Sequence, residues 1–519
     1  MTATPQPSAD TGPTDSSNRT ADHNRNSDHG RNADHGRNTS QVRIRDARTN
    51  DGIRIRDLGD RADHVHDLVG IGIGPFGLGL AALADPLPDV DAVFLDRRDG
   101  FRWHPGMMIE GSTVQVPFLA DLVTMADPTS RLSFLQFLKE KGRLYPFYIR
   151  ESFYPLRAEY DEYCRWVASQ LNTLRWNREV TSVTRQGSIF TIVAEVRDDF
   201  GRRLGEETYR ARHVVLGVGT APVIPPALQG LQTPGAGPVI HTADYLEHRD
   251  ELLDSGSVTI IGSGQSAAEI YRDLIEDAVG RDVRIDWVTR SPRFFPMEYT
   301  KLTLEMTSPE YTDHFRALPD QLRDAVGRDQ RNLYKGISAD LIDDIHDTLY
   351  RLSRGGRQLP TNLLTDAELR TAAHDDGDYV LRFRNQLLGR TFDLRSRSVV
   401  AATGYRSQVP DFLNPLGAEV RTDRHGRLDV SREYTINAAA DLHVLNGEEH
   451  THGVTAPDLG FGPWRASVVL AAVTGREPYP IERRIAFQTF GVPPGEDPED
   501  ESIDEPSTEA LTTKEKTLA

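Results

Sequence analysis

Two glycine-rich turns hold the residues in this sequence most suited to chemistry. In Gly72-Ile73-Gly74-Pro75-Phe76-Gly77 the glycines stand at GxGxxG spacing behind the apolar run Leu68, Val69 and Ile71. That order suits a strand, turn and helix that cradle a pyrophosphate. Gly72 permits the tight turn, Gly74 lets the backbone approach a phosphate, and Gly77 seats the helix on the strand, with free helix N–H groups facing the anion. A second turn, Gly262-Ser263-Gly264-Gln265-Ser266-Ala267, follows the apolar run 257–261 in the same way. The two differ at the end of the next strand-like run. Asp96 stands 24 residues after Gly72, whereas the run 285–288 ends in Thr289 and Arg290. A carboxylate at this place accepts from ribose hydroxyls, and a guanidinium pairs with the additional 2′-phosphate of NADP. The first turn therefore reads as a site for FAD or NAD, and the second as a site for NADPH.

Between residues 63 and 490, strand-like and helical runs alternate, which predicts an α/β protein with two Rossmann-like dinucleotide-binding domains. The run 213–217 leads through Gly219 into prolines, where the chain leaves the first domain. The runs 399–402 and 442–445 read as its return. The expected organisation is a first domain over 63–220, a second, inserted domain over 221–395 with a mainly helical substrate region at about 300–355, and completion of the first domain over 396–490. Residues 1–62, with a repeat around His23, His29 and His35, and the acidic segment 491–519 read as disordered tails. The net charge of −18 over 519 residues argues against a nucleic-acid surface. No apolar run approaches the roughly 20 residues of a membrane span. With Cys164 as the single cysteine, an intrachain disulfide, a cysteine-based zinc site or a redox CxxC pair is impossible, which fits a cytoplasmic protein. The histidines of the N-terminal repeat read as part of the disordered tail rather than as a metal site, so no metal is expected.

Both glycine motifs, WHPGM at 103–107, ATGY at 402–405 and THG at 451–453 together resemble the flavin-dependent N-hydroxylating monooxygenases of siderophore biosynthesis, the L-ornithine N5- and L-lysine N6-monooxygenases and their diamine relatives. The resemblance spans about 65–490. It implies that NADPH reduces FAD, that the reduced flavin takes up O2, and that a C4a-hydroperoxyflavin hydroxylates a primary amine, with no protein acid or base assigned. It also implies FAD contacts at Gly72, Gly74, Pro75, Gly77, Asp96, Trp103, His104, Gln115, Pro457, Asp458 and Leu459, and NADPH contacts at Ser263, Gly264, Gln265, Ser266, Arg290 and Tyr334. Gly77 stands where the resembled enzymes usually have Asn. His104 is expected to pack on the flavin rather than move protons. Enzymes of this kind are often tetrameric, so a homo-oligomer is expected.

The same resemblance places the substrate at Ala120, Leu304, Leu333 and Gly460. The amino-acid hydroxylases have Lys where this chain has Ala120, and Asn where it has Leu304 and Leu333. A carboxylate buried against these residues would lose its countercharge and hydrogen bonds, at a cost of several kcal/mol. The expected substrate is therefore an aliphatic diamine, putrescine or cadaverine, with Glu298, Glu305 and Asp458 as candidates for the distal ammonium. The alternative is L-lysine or L-ornithine. Gly237, His241 and Tyr245 also resemble the linking fingerprint of Baeyer–Villiger and flavin-containing monooxygenases, the rival within enzymes. A nucleotide-binding regulator without chemistry is the rival outside them.

Overall fold

The computed structural model describes residues 64–232 and 235–492, so the histidine repeat and nearly all of the acidic tail lie outside it. Seven strands form the first sheet. Its parallel part runs in the order Leu174–Arg175, Ala92–Leu95, Val65–Ile71, Arg203–Leu216 and Leu442–Val444. All four residues of Ala92–Leu95, and Leu68 through Ile71, are buried, the continuous apolar pattern of strands covered on both faces. Arg203–Leu216 serves twice. Its first part pairs antiparallel with Ile189–Arg197, and its second part pairs parallel with Val65–Ile71.

The helix Pro75–Ala84 opens with a proline in its first turn, where no N–H is required, and is buried from Gly77 to Ala84. It packs against the sheet and against Gly462–Thr474. A fully apolar helix is stable only when covered all round, and the C-terminal helix supplies that cover.

The second sheet has five parallel strands, in the order Thr361–Leu364, Arg284–Val288, Ser257–Ile261, Ser398–Ala401 and Val239–His241. They come from the segment between strands Arg203–Leu216 and Leu442–Val444 of the first sheet. The expected return to the first domain at residue 396 is corrected by this pairing. Ser398–Ala401 lies between Ser257–Ile261 and Val239–His241, so the chain stays with the second sheet through residue 401. It crosses back at Tyr405–Ser407, which pairs with the outgoing Thr220–Pro222. An antiparallel meander of Ala367–Asp375, Asp378–Asn385 and Thr391–Ser396 packs Tyr379, Leu381 and Phe383 against Ile261 and Val288.

Residues 301–352 are mainly helical, as expected: Lys301–Leu304, Pro309–Ala317, Asp320–Asp329, Asn332–Lys335 and Ala339–Leu352. Among the described residues no helix is long and apolar enough to cross a membrane. Cys164 is buried and unpaired.

Candidate active site

The first turn has the geometry that its glycines suggest. Gly72 adopts φ +99°, and a Cβ there would lie 2.3 Å from the Gly217 carbonyl oxygen. A Cβ on Gly77 would lie 2.1 Å from the Gly72 carbonyl oxygen, so helix and turn close on a bare backbone. A Cβ on Gly74 would meet nothing within 4 Å, which leaves the room a pyrophosphate needs at the helix N-terminus. Asp96 is tied to this turn. Its Oδ2 accepts from the Ile73 N–H at 2.7 Å and its Oδ1 from the Arg98 N–H at 2.9 Å. Each oxygen keeps a lone pair for a ribose hydroxyl.

WHPGM lies beside this turn. Trp103 donates its backbone N–H to Asp161 at 2.8 Å and packs on Tyr160. His104 adopts φ 48° and stands open on one side. The protein mass around it, then the charges of Arg157 and Arg98, hold its imidazole down to about 4, so it is neutral in any physiological buffer. A Cβ on Gly106 would overlap the Ala243 carbonyl, at 1.8 Å, so the loop sits directly on the turn Thr242–Asp244. Tyr405 lies between His104 and His241, with ring centroids 5.7 and 5.0 Å away. His241 reaches the Gly404 carbonyl at 3.1 Å. WHPGM, ATGY and the fingerprint histidine thus form one contact. Gln115 is half-buried and donates to the Thr113 carbonyl at 2.9 Å. Pro75 and Leu459 line a common recess with Phe76 and Tyr160, which joins the glycine turn to the 457–459 loop.

The second turn repeats the pattern. Gly262 adopts φ +144°, a Cβ there would lie 2.1 Å from the Ala402 carbonyl oxygen, and Gly264 caps the helix Gln265–Arg281. Ser263 bonds Ser291 at 3.2 Å. Gln265 accepts from the Ser338 N–H at 2.8 Å and donates to Glu269 at 3.0 Å, so it braces the turn against the helical region. Arg290 is exposed past the end of Arg284–Val288, and no described residue pairs with it, which leaves its guanidinium free for a phosphate. Tyr334 does not stand free. Its hydroxyl donates to Glu449 at 2.7 Å, and Lys335 reaches the same oxygen at 2.7 Å.

Two buried ion pairs were not foreseen from the sequence. Arg157 meets Glu269 through two bonds of 2.9 and 2.7 Å while donating to the Met107 carbonyl at 2.7 Å. It thereby clamps WHPGM to the helix that follows the second turn. Arg465 and Glu448, both fully buried, pair with each other, and Arg465 also donates to the carbonyls of Ala456 at 2.8 Å and Asp458 at 3.4 Å. Its guanidinium lies 4.3 Å over the Phe76 ring. Arg157 and Glu269 are 112 residues apart, so no local pattern pointed to them.

At the substrate end, Ala120 is buried, and a Cβ on Gly460 would lie 3.5 Å from its methyl and 3.1 Å from Asp458 Oδ1. Asp458 also caps the Phe461 N–H at 2.9 Å, and burial raises its carboxyl above the usual range. Leu333 packs into an apolar group with Phe315 and Val454, just after THG. Leu304, 37 % exposed, is not part of that group. Glu298 is taken up by the Asn332 amide at 2.7 Å, and Glu305 by Gln488 at 3.0 Å. His452 of THG is buried, stacks on Tyr434 at 4.6 Å and is held neutral by burial and by nearby arginines, so it is a packing group.

Two dinucleotide turns in one chain, the first with an acid and the second with a free guanidinium, define a protein that holds a flavin-type and an NADP-type dinucleotide together. The model of the L-lysine 6-monooxygenase/L-ornithine 5-monooxygenase family matches residues 64–407. A putrescine N-hydroxylase of Shewanella oneidensis is 46 % identical over 430 residues, covering 82 % of this chain and 84 % of the relative. An alcaligin biosynthesis enzyme of Bordetella pertussis is 43 % identical over 433 residues, covering 83 % and 92 %. Among solved structures, the FAD-bound cadaverine monooxygenase of the desferrioxamine pathway from Erwinia amylovora superposes with a TM-score of 0.79 at 44 % identity, covering 83 % of this chain and 99 % of that one. The Kutzneria ornithine N-hydroxylase with reduced FAD, NADP+ and L-ornithine gives a TM-score of 0.72 at 28 % identity, covering 79 % and 99 %. This chain belongs to the L-lysine 6-monooxygenase/L-ornithine 5-monooxygenase family of flavin-dependent N-hydroxylating enzymes.

Proposed function

We propose that this chain is an FAD- and NADPH-dependent N-monooxygenase that hydroxylates one terminal nitrogen of an aliphatic diamine, putrescine or cadaverine, for hydroxamate siderophore biosynthesis. The observation that carries the choice of diamine is Ala120, which is buried and set against Gly460; the resembled amino-acid hydroxylases have Lys in place of this Ala. A substrate α-carboxylate would find a methyl group at that place. Asp458 beside it offers the opposite charge and suits a distal ammonium. The names of the two diamine-hydroxylating relatives support the same reading.

FAD and NADPH, when bound, supply the redox chemistry that places one oxygen atom of O2 on the amine nitrogen. The chain supplies binding and placement. Gly72, Gly74 and Asp96 take the first dinucleotide, and Ser263, Gly264, Ser266 and Arg290 take the second. Trp103, neutral His104 and Gln115 would pack on the flavin when it is bound. The reacting amine must be neutral to act as a nucleophile, yet with a pKa near 10.4 only a few molecules in roughly ten thousand are neutral at pH 7. Taking that nitrogen out of water, at the end of the substrate away from Asp458, disfavours its charged form.

Hydroxylamine formation measured in parallel with putrescine, cadaverine, L-lysine and L-ornithine tests the proposal. Preference for either diamine is the expected outcome, and preference for an amino acid overturns it. The homo-tetramer and the cytoplasmic location belong to the same proposal, and light scattering of the FAD-loaded protein tests the first.

A further inference from the structure

His64, His66 and Asp91 form a group that the cofactor chemistry does not use. His64 Nε2 and His66 Nδ1 converge on one oxygen, Asp91 Oδ2, at 2.5 and 3.1 Å. The three donor atoms all lie within 4.8 Å of one another. The backbone that carries the carboxylate is fixed in place. The Asp91 carbonyl accepts from the N–H groups of Asp67 at 2.9 Å and Leu68 at 3.2 Å, and its own N–H donates to Asp67 Oδ2 at 3.0 Å. His66 is held as well, with 19 % of its side chain exposed and its ring near Tyr209. His64 and Asp91, at 54 % and 46 %, leave the outer side open to solvent.

We propose that these three side chains bind one divalent transition-metal ion of the zinc or nickel kind. Two imidazoles and a carboxylate suit such ions, whereas magnesium and calcium prefer all-oxygen sets. A tetrahedral zinc with bonds of about 2.0 to 2.2 Å spaces its donors roughly 3.3 Å apart. The 2.5 Å contact of His64 must therefore open, a movement that the exposed His64 side chain can supply. Water fills the fourth position. The site lies where the chain enters Val65–Ile71, at the opposite end of that strand from the Gly72 turn. At about 3.3 Å per residue, that separation is roughly 20 Å. The ion therefore ties the strand entry to the loop before Ala92–Leu95 rather than joining the redox chemistry, and its binding stabilises the fold.

The test is calorimetric titration of the full-length, FAD-loaded, chelator-treated protein with zinc chloride and, separately, magnesium chloride. The background carries H23Q, H29Q and H35Q, so that the tail histidines do not contribute. One equivalent of zinc, no magnesium, and a zinc-dependent rise in the thermal midpoint are expected. H66Q and D91N are expected to weaken zinc at least tenfold and abolish the thermal shift. H64Q, at an exposed side chain that carries little packing, is expected to do the same without changing the flavin spectrum. No zinc binding in the background protein, or zinc binding unaffected by all three substitutions, overturns the proposal and leaves a hydrogen-bonded His–Asp–His group that only braces the strand.

Discussion

At the level of single residues, the chemistry turns on what position 120 does not carry. Ala120 and Gly460 leave a small apolar space beside Asp458. A lysine at position 120 would put a cation where the proposed substrate is itself cationic. A120K is expected to lower kcat/KM for putrescine and cadaverine at least tenfold and to raise the small turnover of L-ornithine or L-lysine. Steady-state hydroxylamine assays with both substrate classes check this, and unchanged diamine kinetics contradict it. D458N keeps the oxygen that caps Phe461 but removes the charge. It is expected to raise the diamine KM about tenfold while leaving the KM for a monoamine of equal length unchanged, because only the diamine carries a second ammonium. His104 is neutral above about pH 4, so it does not titrate between pH 6 and 9. The rate is expected to rise across that range through deprotonation of the substrate amine, and H104N is expected to change its size without changing its shape. A flat rate in the unmodified enzyme contradicts this.

Among the elements, two ion pairs do the holding that the motifs alone cannot. Breaking Arg157–Glu269 from one side leaves a buried uncompensated charge, at a cost of roughly 3 to 5 kcal/mol. R157M alone is expected to lower the unfolding free energy by that order. R157M/E269M is expected to recover most of the stability but not the rate of anaerobic flavin reduction by NADPH, because WHPGM is no longer clamped to the helix behind the second turn. Recovery of both would make the pair purely structural. The sequence shows the turns more clearly than the clamps. The glycine spacing, Asp96 and Arg290 were legible because each lies within or just past one strand–turn–helix unit, where local sterics dictate residue type. The run 399–402 was legible as a strand but not as a strand of the second sheet, because apolar character does not encode which neighbours a strand joins. Arg157 looked like any charged residue of a helix until folding brought Glu269 to it. Glu298 and Glu305 looked equal to Asp458 until their amide partners were seen.

For the molecule as a whole, the C-terminal return carries an acid limit. Strand Leu442–Val444 closes the first sheet beside Arg203–Leu216, and the chain then runs through THG to the 457–460 loop and the helix that covers Pro75–Ala84. His443 of that strand is fully buried, and its ring lies 3.3 Å from His213 on the neighbouring strand. Burial, then the neighbouring His213, push its imidazole down to about 3. A base whose folded pKa is depressed binds its proton first in the unfolded chain. Stability is therefore unaffected above about pH 6.5 and falls as pH drops from there towards 3. At pH 5 the unfolded state gains up to about 2 kcal/mol from this one group. His104 and His452, whose imidazoles are also depressed, act in the same sense, while Asp121 and Asp458, whose carboxyls are raised, soften the fall. The thermal midpoint of the FAD-loaded protein is expected to drop between pH 7.5 and 5, with the flavin released in the same transition because the return strand leads to its loop. H443Q, which cannot take up the proton, is expected to show a smaller drop over that interval. An equal drop in both proteins would place the acid limit elsewhere in the fold.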